Sequence, residues 1–172
     1  NLELSKKLDR SFVEKYDLAK VRSYADMYED AVRMMRSKDL DAFDIGKEPK
    51  EIREEYGKDN FGQGVLLARR LVEKQVRFVE VQLGGWDTHQ SNYDRVSERC
   101  DILDQALSAL LNDLHNRGML EETLVVVATE FGRTPDYNVN EGRDHYPKAF
   151  SCMLAGGGIR GGQVWGSTDD EG

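Results

Sequence analysis

Apolar residues recur along this chain with two different periods, and the change of period outlines its organisation. From Phe12 to Met35 they fall mostly three and four residues apart, at Phe12, Val13, Tyr16, Leu18, Ala19, Val21, Tyr24, Ala25, Met27, Tyr28, Ala31, Val32 and Met35. That is the spacing of one helical face. The stretch 40–57 contains Gly46, Pro49 and Gly57, and predicts one short helix after Pro49. Residues 62–74 predict a second helix, with Val65, Leu66, Ala68, Leu71 and Val72 on its apolar side. Arg77 to Leu83, with Phe78, Val79 and Val81, then reads as a strand ended by Gly84-Gly85. Residues 94–116 form the clearest helix, with a stripe at Val96, Cys100, Leu103, Leu107, Leu110 and Leu114 and Gly118 placed to end it. Thr123 to Thr129 is a continuous apolar run, the pattern of a strand buried on both faces. Ala149 to Ala155 is a third strand, followed by Gly156-Gly157-Gly158 and a short strand or turn at Gln163-Val164-Trp165.

Strand, helix, strand, long loop, strand predicts an α/β layer architecture with a mostly parallel sheet. On this reading residues 1–60 are a helical cap or insertion, and residues 61–172 carry the α/β domain. Parallel sheets bind ligands beyond the carboxyl ends of their strands. That rule points to Gly84–His89, Glu130–Pro135 and the glycine run from Gly156.

Composition narrows the function. A net charge of -8 argues against a nucleic-acid binder, which needs a basic stripe to neutralise phosphates. It does not exclude an anionic ester, because a bound cation can reverse the local field. No apolar run reaches the ~20 residues of a membrane helix. Cys100 and Cys152 form no CxxC and are expected as buried free thiols. The start, without Met or an apolar leader segment, leads us to expect part of a longer or processed protein.

Three motifs carry chemistry. In Gly84-Gly85-Trp86-Asp87-Thr88-His89, a carboxylate and an imidazole lie two residues apart, so in extended backbone both project to one side and can reach one ion. The bland alternative makes Asp87 a helix cap and His89 a surface residue. Glu130, just past the apolar strand, is expected to pair with Arg133 or to serve a metal or a proton, with Arg133 free for an anionic oxygen. Gly142-Arg143-Asp144-His145-Tyr146-Pro147 closes a connection of unusual length. There Asp144 either orients an imidazole or binds directly, and the alternative is a surface turn. If His89 and His145 share a site, their rings must lie within about 8 Å, given ~2 Å metal–nitrogen bonds. His115, near a helix C-terminus, reads as solvated, and the Gly156–Gly162 run reads as tight turns.

Taken together, Gly-Gly-Trp-Asp-Thr-His, Thr-Leu-Val-Val-Val-Ala-Thr-Glu-Phe-Gly-Arg-Thr-Pro, Gly-Arg-Asp-His-Tyr-Pro and Leu-Ala-Gly-Gly-Gly-Ile-Arg-Gly-Gly resemble the DUF1501 family, grouped with the alkaline phosphatase and sulfatase superfamily. The resemblance runs from about Ala42 to Gly172. It implies an alkaline-phosphatase-like α/β/α sandwich, of which this chain is the C-terminal portion, and a metal-dependent hydrolase of phosphate or sulfate esters, small or polysaccharide. Asp87, His89 and His145 would ligate one divalent metal, zinc in preference to manganese, magnesium or calcium, with Glu130 and Asp144 as further candidates. Glu130 and Arg133 would take part in catalysis, and Arg143 would assist Arg133. The resemblance also implies export to the periplasm. Two departures stand out: Phe131 occupies the place of a second-metal histidine, and no nucleophile segment occurs in residues 1–60. A non-catalytic binding or assembly module of the cell envelope is therefore the alternative.

Overall fold

The structure, a computed structural model, describes Lys15 and residues 19–169. It is a mixture of helices and small antiparallel sheets. Contacts divide the chain into two units, Asn1–Asp44 and Ile45–Gly172. In the first, helix α1 (Ala19–Met35) is followed by a 3-10 turn over Lys38–Phe43. Ser37 starts that turn by accepting the Asp39 amide N–H on its hydroxyl, at 3.0 Å. The tyrosines and methionines of the expected apolar stripe, Tyr24, Met27, Tyr28 and Met35, are exposed. The part of the stripe before residue 19 lies outside the described residues.

The second unit contains helices α2 (Lys50–Glu55), α3 (Asn60–Glu73) and α4 (Asn92–Asn116). Asp59 caps α3, accepting from the amides of Phe61 and Gly62 at 2.9 and 3.0 Å. The apolar core lies between α3 and α4. Val65 and Leu66 meet Ala106 and Ala109, with Tyr56 closing one side and Ile52, Phe61, Val81 and Leu110 around the edge. Small residues on α4 let the two helices approach closely. That choice of face leaves Cys100 outside the core; Cys100 and Cys152 are both free and exposed rather than buried.

Ions bind this unit together as much as oil does. Arg69, whose side chain is wholly buried, contacts Glu48, Glu73 and Asp113 at 2.9, 2.8 and 2.8 Å. Arg117 bridges Asp113 and Glu73, both at 2.6 Å, Arg70 pairs with Glu48, and the Tyr56 hydroxyl donates to Asp113 at 2.9 Å. Burial pushes the Glu48 carboxyl up, but Arg69 and Arg70 outweigh it and hold it below its ordinary value. Asp113 behaves alike: burial raises it, while Arg117, Tyr56 and Arg69 bring it down.

The strands depart from expectation. Strand β1 (Leu124–Val127) pairs antiparallel with β4 (Met153–Gly156), and β2 (Gly132–Arg133) pairs antiparallel with β3 (His145–Tyr146). Neither pair belongs to a parallel sheet. Residues 77–83 alternate in burial, with Val79, Val81 and Leu83 half-buried and Phe78, Glu80 and Gln82 exposed, but among the described residues they have no ladder partner. Without one, the backbone forms no strand, and Phe78 is 80% exposed. Strand β1, although paired with β4, is covered on one face only: Leu124 and Val126 are exposed, Val125 and Val127 half-buried. Residues 163–165 form no strand, and Val164 and Trp165 are exposed.

Removing Arg69 leaves three carboxylates without their shared counter-ion. Arg69→Ala is expected to lower the unfolding free energy by roughly 3–5 kcal/mol, read from urea titrations. A loss below about 1 kcal/mol would show the cluster to be dispensable. Because the folded Glu48 and Asp113 values lie below the ordinary ones, their stabilisation is complete above the ordinary carboxylate range. It disappears as the pH falls through the lowered values. Titrations at about pH 7 and about pH 3 should show a smaller difference in Arg69→Ala than in the unaltered protein.

Candidate metal centre

The segment after residue 83 turns through Gly84-Gly85 and presents Asp87 and His89 to one side and Thr88 to the other. Thr88 is fully buried, and its hydroxyl accepts from the Asn92 carboxamide at 2.6 Å. This bond ties the segment to the first turn of α4. It also keeps the hydroxyl buried, on the side away from Asp87 and His89.

The connection expected as a long loop is an ordered hairpin. In the β2–β3 register Arg133 lies opposite His145, and directly paired residues project to the same face. Thr134 closes the next step, its amide donating to the Asp144 carbonyl at 3.0 Å. The hairpin tip then crosses the Asp87–Asn92 segment. Arg143 donates its amide N–H to the Thr88 carbonyl, Ser91 to Asn140 and Asn92 to Glu141, at 3.0, 3.2 and 2.8 Å. Gly142 lies against His89 so closely that a Cβ there would sit 2.0 Å from the His89 carbonyl carbon and oxygen. Only glycine fits.

This crossing brings the sequence-predicted residues together. The atoms His89 Nε2, His145 Nε2 and Asp87 Oδ1 form a triangle with sides of 3.2, 3.0 and 3.0 Å. They form the one group among the described residues suited to hold a metal ion. Three donors on a tetrahedral ion with bonds of about 2.0–2.1 Å stand about 3.3 Å apart, close to these sides. The chemistry agrees with the spacing. His89 Nδ1 lies 2.8 Å from Asp144 Oδ1, a carboxylate oxygen that can only accept, so Nδ1 carries a proton. A neutral His89 then offers a lone pair from Nε2 toward Asp87 Oδ1, another acceptor. A cation among the three atoms would remove that repulsion, as would a proton on His89 Nε2. Side-chain exposures of 43% for His89, 49% for His145 and 67% for Asp87 leave the centre open to an incoming ligand.

The surroundings are asymmetric. Arg133 donates to Asp87 Oδ1 at 2.8 Å and to the Arg143 carbonyl at 3.3 Å. Hydrogen bonds from His145 and then Arg133 hold the Asp87 carboxyl down at about 2, so it is ionised at every physiological pH. Asp144 is lowered as well, by His89 first and Asn138 second. Phe131 packs on the His145 ring, centroids 4.5 Å apart, and fixes it from the side. The Arg143 guanidinium donates to the Thr134 carbonyl at 3.1 Å and lies over Tyr137. Glu130 is exposed and stands outside the group, and its expected partner Arg133 is taken by Asp87. His115 is exposed at the far end of α4.

A family model described as "Protein of unknown function (DUF1501)" matches residues 1–172. The chain belongs to the DUF1501 family. The match includes residues 1–41, which carry little of the motif resemblance. No curated protein and no solved structure matches the chain. In this DUF1501 chain no helix of the described residues is long and apolar enough to cross a membrane.

Sequence reasoning did not single out Asn92 or Asn138, which hold the two ligand segments; neither lies in a metal-binding pattern. Thr88→Val keeps the shape of Thr88 but leaves the Asn92 amide unsatisfied in the interior. It is expected to cost about 1–3 kcal/mol in urea unfolding, and an unchanged midpoint would rule the Thr88–Asn92 lock out.

Proposed function

We propose that the complete DUF1501 protein is a metal-dependent hydrolase of phosphate or sulfate esters and that this chain carries its Asp87–His89–His145 centre. The observation behind this reading is the convergence of one carboxylate oxygen and two imidazole nitrogens within 3.2 Å of one another. Imidazole and carboxylate ligands suit zinc or a neighbouring transition metal better than calcium. A bound ion would polarise the ester and favour ionisation of an attacking or departing oxygen. The other contributions come from the chain. Asp87 and the two histidines supply the ligands, and Asp144 keeps the His89 proton on Nδ1 so that Nε2 faces inward. Arg133, beside Asp87, places a planar cation where the nonbridging oxygens of a tetrahedral anion would lie. Glu130, exposed three residues beyond the end of β1, is a candidate proton carrier for the departing oxygen. The fold we infer for the complete protein is an alkaline-phosphatase-like α/β/α sandwich, in which further strands pair with residues 77–83 and β1. Export to the periplasm and a small or polysaccharide ester substrate belong to the same proposal.

A second reading, a non-catalytic binding module on the same fold, draws on Phe131. Its ring packs against His145 at the position where the superfamily resemblance leads one to expect a second-metal histidine.

Asp87→Ala and His145→Ala are each expected to abolish stoichiometric Zn²⁺ or Mn²⁺ in the purified complete protein, measured by elemental analysis. Absence of metal in the unaltered protein would remove the metal reading altogether. Metal bound without turnover of p-nitrophenyl phosphate or sulfate would favour the binding module. Under the hydrolase reading, Arg133→Ala should lower turnover by about 10²-fold or more while metal content stays near that of the unaltered protein.

A further inference from the structure

We propose that Asn138 is a positioning residue for this centre: it orients His89 at both its backbone and its ring, without touching the ligand triangle. The inference rests on the metal reading above for its consequence but not for its geometry.

Asn138 is half-buried at the hairpin tip, and its carboxamide uses every hydrogen-bonding position it has. The Nδ2 group donates to the His89 carbonyl at 3.2 Å and to Asp144 Oδ1 at 3.0 Å. The Oδ1 atom accepts from the amides of Asn140 and Gly142 at 2.9 and 3.0 Å. Two acceptors on one side and two donors on the other leave a single orientation for the amide. The two halves of the group do different work. Oδ1 folds the tip, with Glu141 in the left-handed region at φ 57°. Nδ2 reaches out of the tip to the other ligand segment.

The second donation has the larger consequence. Asp144 Oδ1 is shared by Asn138 Nδ2 and His89 Nδ1, so Asn138 sets the direction of the carboxylate that holds the His89 proton. Asp144 is exposed, and a carboxylate on the surface has rotamer freedom that a second donor removes. The chain of contacts therefore runs Asn138, Asp144, His89 Nδ1, and through the ring to Nε2 at the triangle. Partners of this kind are typically worth 10–100-fold in metal affinity.

Asn138→Asp separates the two functions. It keeps an oxygen for the Asn140 and Gly142 amides but turns a second carboxylate oxygen toward the His89 carbonyl and Asp144 Oδ1. In the complete protein, Co²⁺ affinity, followed by visible absorption, should fall by about 10–100-fold. In metal-free protein at one fixed pH, ¹⁵N shifts of the His89 ring should move from the Nδ1-protonated form toward a mixture of tautomers. A residue that only folds the tip would not alter that ratio. Unchanged Co²⁺ affinity together with an unchanged His89 tautomer would overturn the proposal. If the unaltered protein binds no Co²⁺, the metal reading fails, and the tautomer measurement still decides the role of Asn138. Should Asn138→Asp fail to fold, Asn138→Ser, which is shorter and uncharged, is read by the same two measurements against the same expectations.

Discussion

Backbone meets backbone where Gly142 crosses His89, and the candidate centre exists because of that crossing. Asp87 and His89 come from one segment and His145 from another more than fifty residues later. Neither could meet the other through long side chains, because Asp and His are short. The main chains themselves must approach to contact distance, which demands a residue without a Cβ. Once they touch, three interstrand amide bonds and the Asn138 carboxamide hold the register. Arg133 and His145 then fall side by side through the hairpin pairing, and Arg133 and the two histidines all turn toward Asp87 Oδ1.

The two loops depend in turn on α4. Its first turn is tied down by the Thr88–Asn92 bond and by the Asn92 amide, which donates to the hairpin tip. Ser91, just before it, is held in the left-handed region at φ 46°, a conformation that costs free energy for a residue with a side chain. The far half of the same helix forms the core with α3. A rigid 25-residue helix thus has one end in the apolar core and the other at the centre.

Much of this was legible in the chain. The long helices were, since three- and four-residue spacing sustained over 14 and 25 residues matches a helical face and no strand. The Asp87–Thr88–His89 alternation was too, because two-residue periodicity survives even where no ladder forms. What stayed hidden depended on partners distant in sequence. Strand pairing direction, and hence the expected parallel sheet, is a property of two segments, and a buried run looks alike in either sense. The short β2–β3 hairpin has no alternation to read, since each strand has only two residues and the tip is held by side-chain-to-backbone bonds. Arg69 reads as an ordinary surface arginine on a helix until Glu48 and Asp113 arrive from elsewhere. Glu130 reads as a costly carboxylate at a strand end, but β1 stops at Val127 and leaves it in solvent.

That ion cluster gives the second unit an unusual temperament. Its apolar core is small, a few side chains between two helices, and hydrophobic stabilisation per unit area levels off on heating. The hydration that charged groups give up when buried becomes less favourable as temperature rises, so the net contribution of the Arg69, Arg70 and Arg117 network with Glu48, Glu73 and Asp113 grows. The frame behind the exposed Asp–His triangle is therefore held by contacts that strengthen with warmth. Heat should loosen the open loop ends of the molecule before it loosens their base.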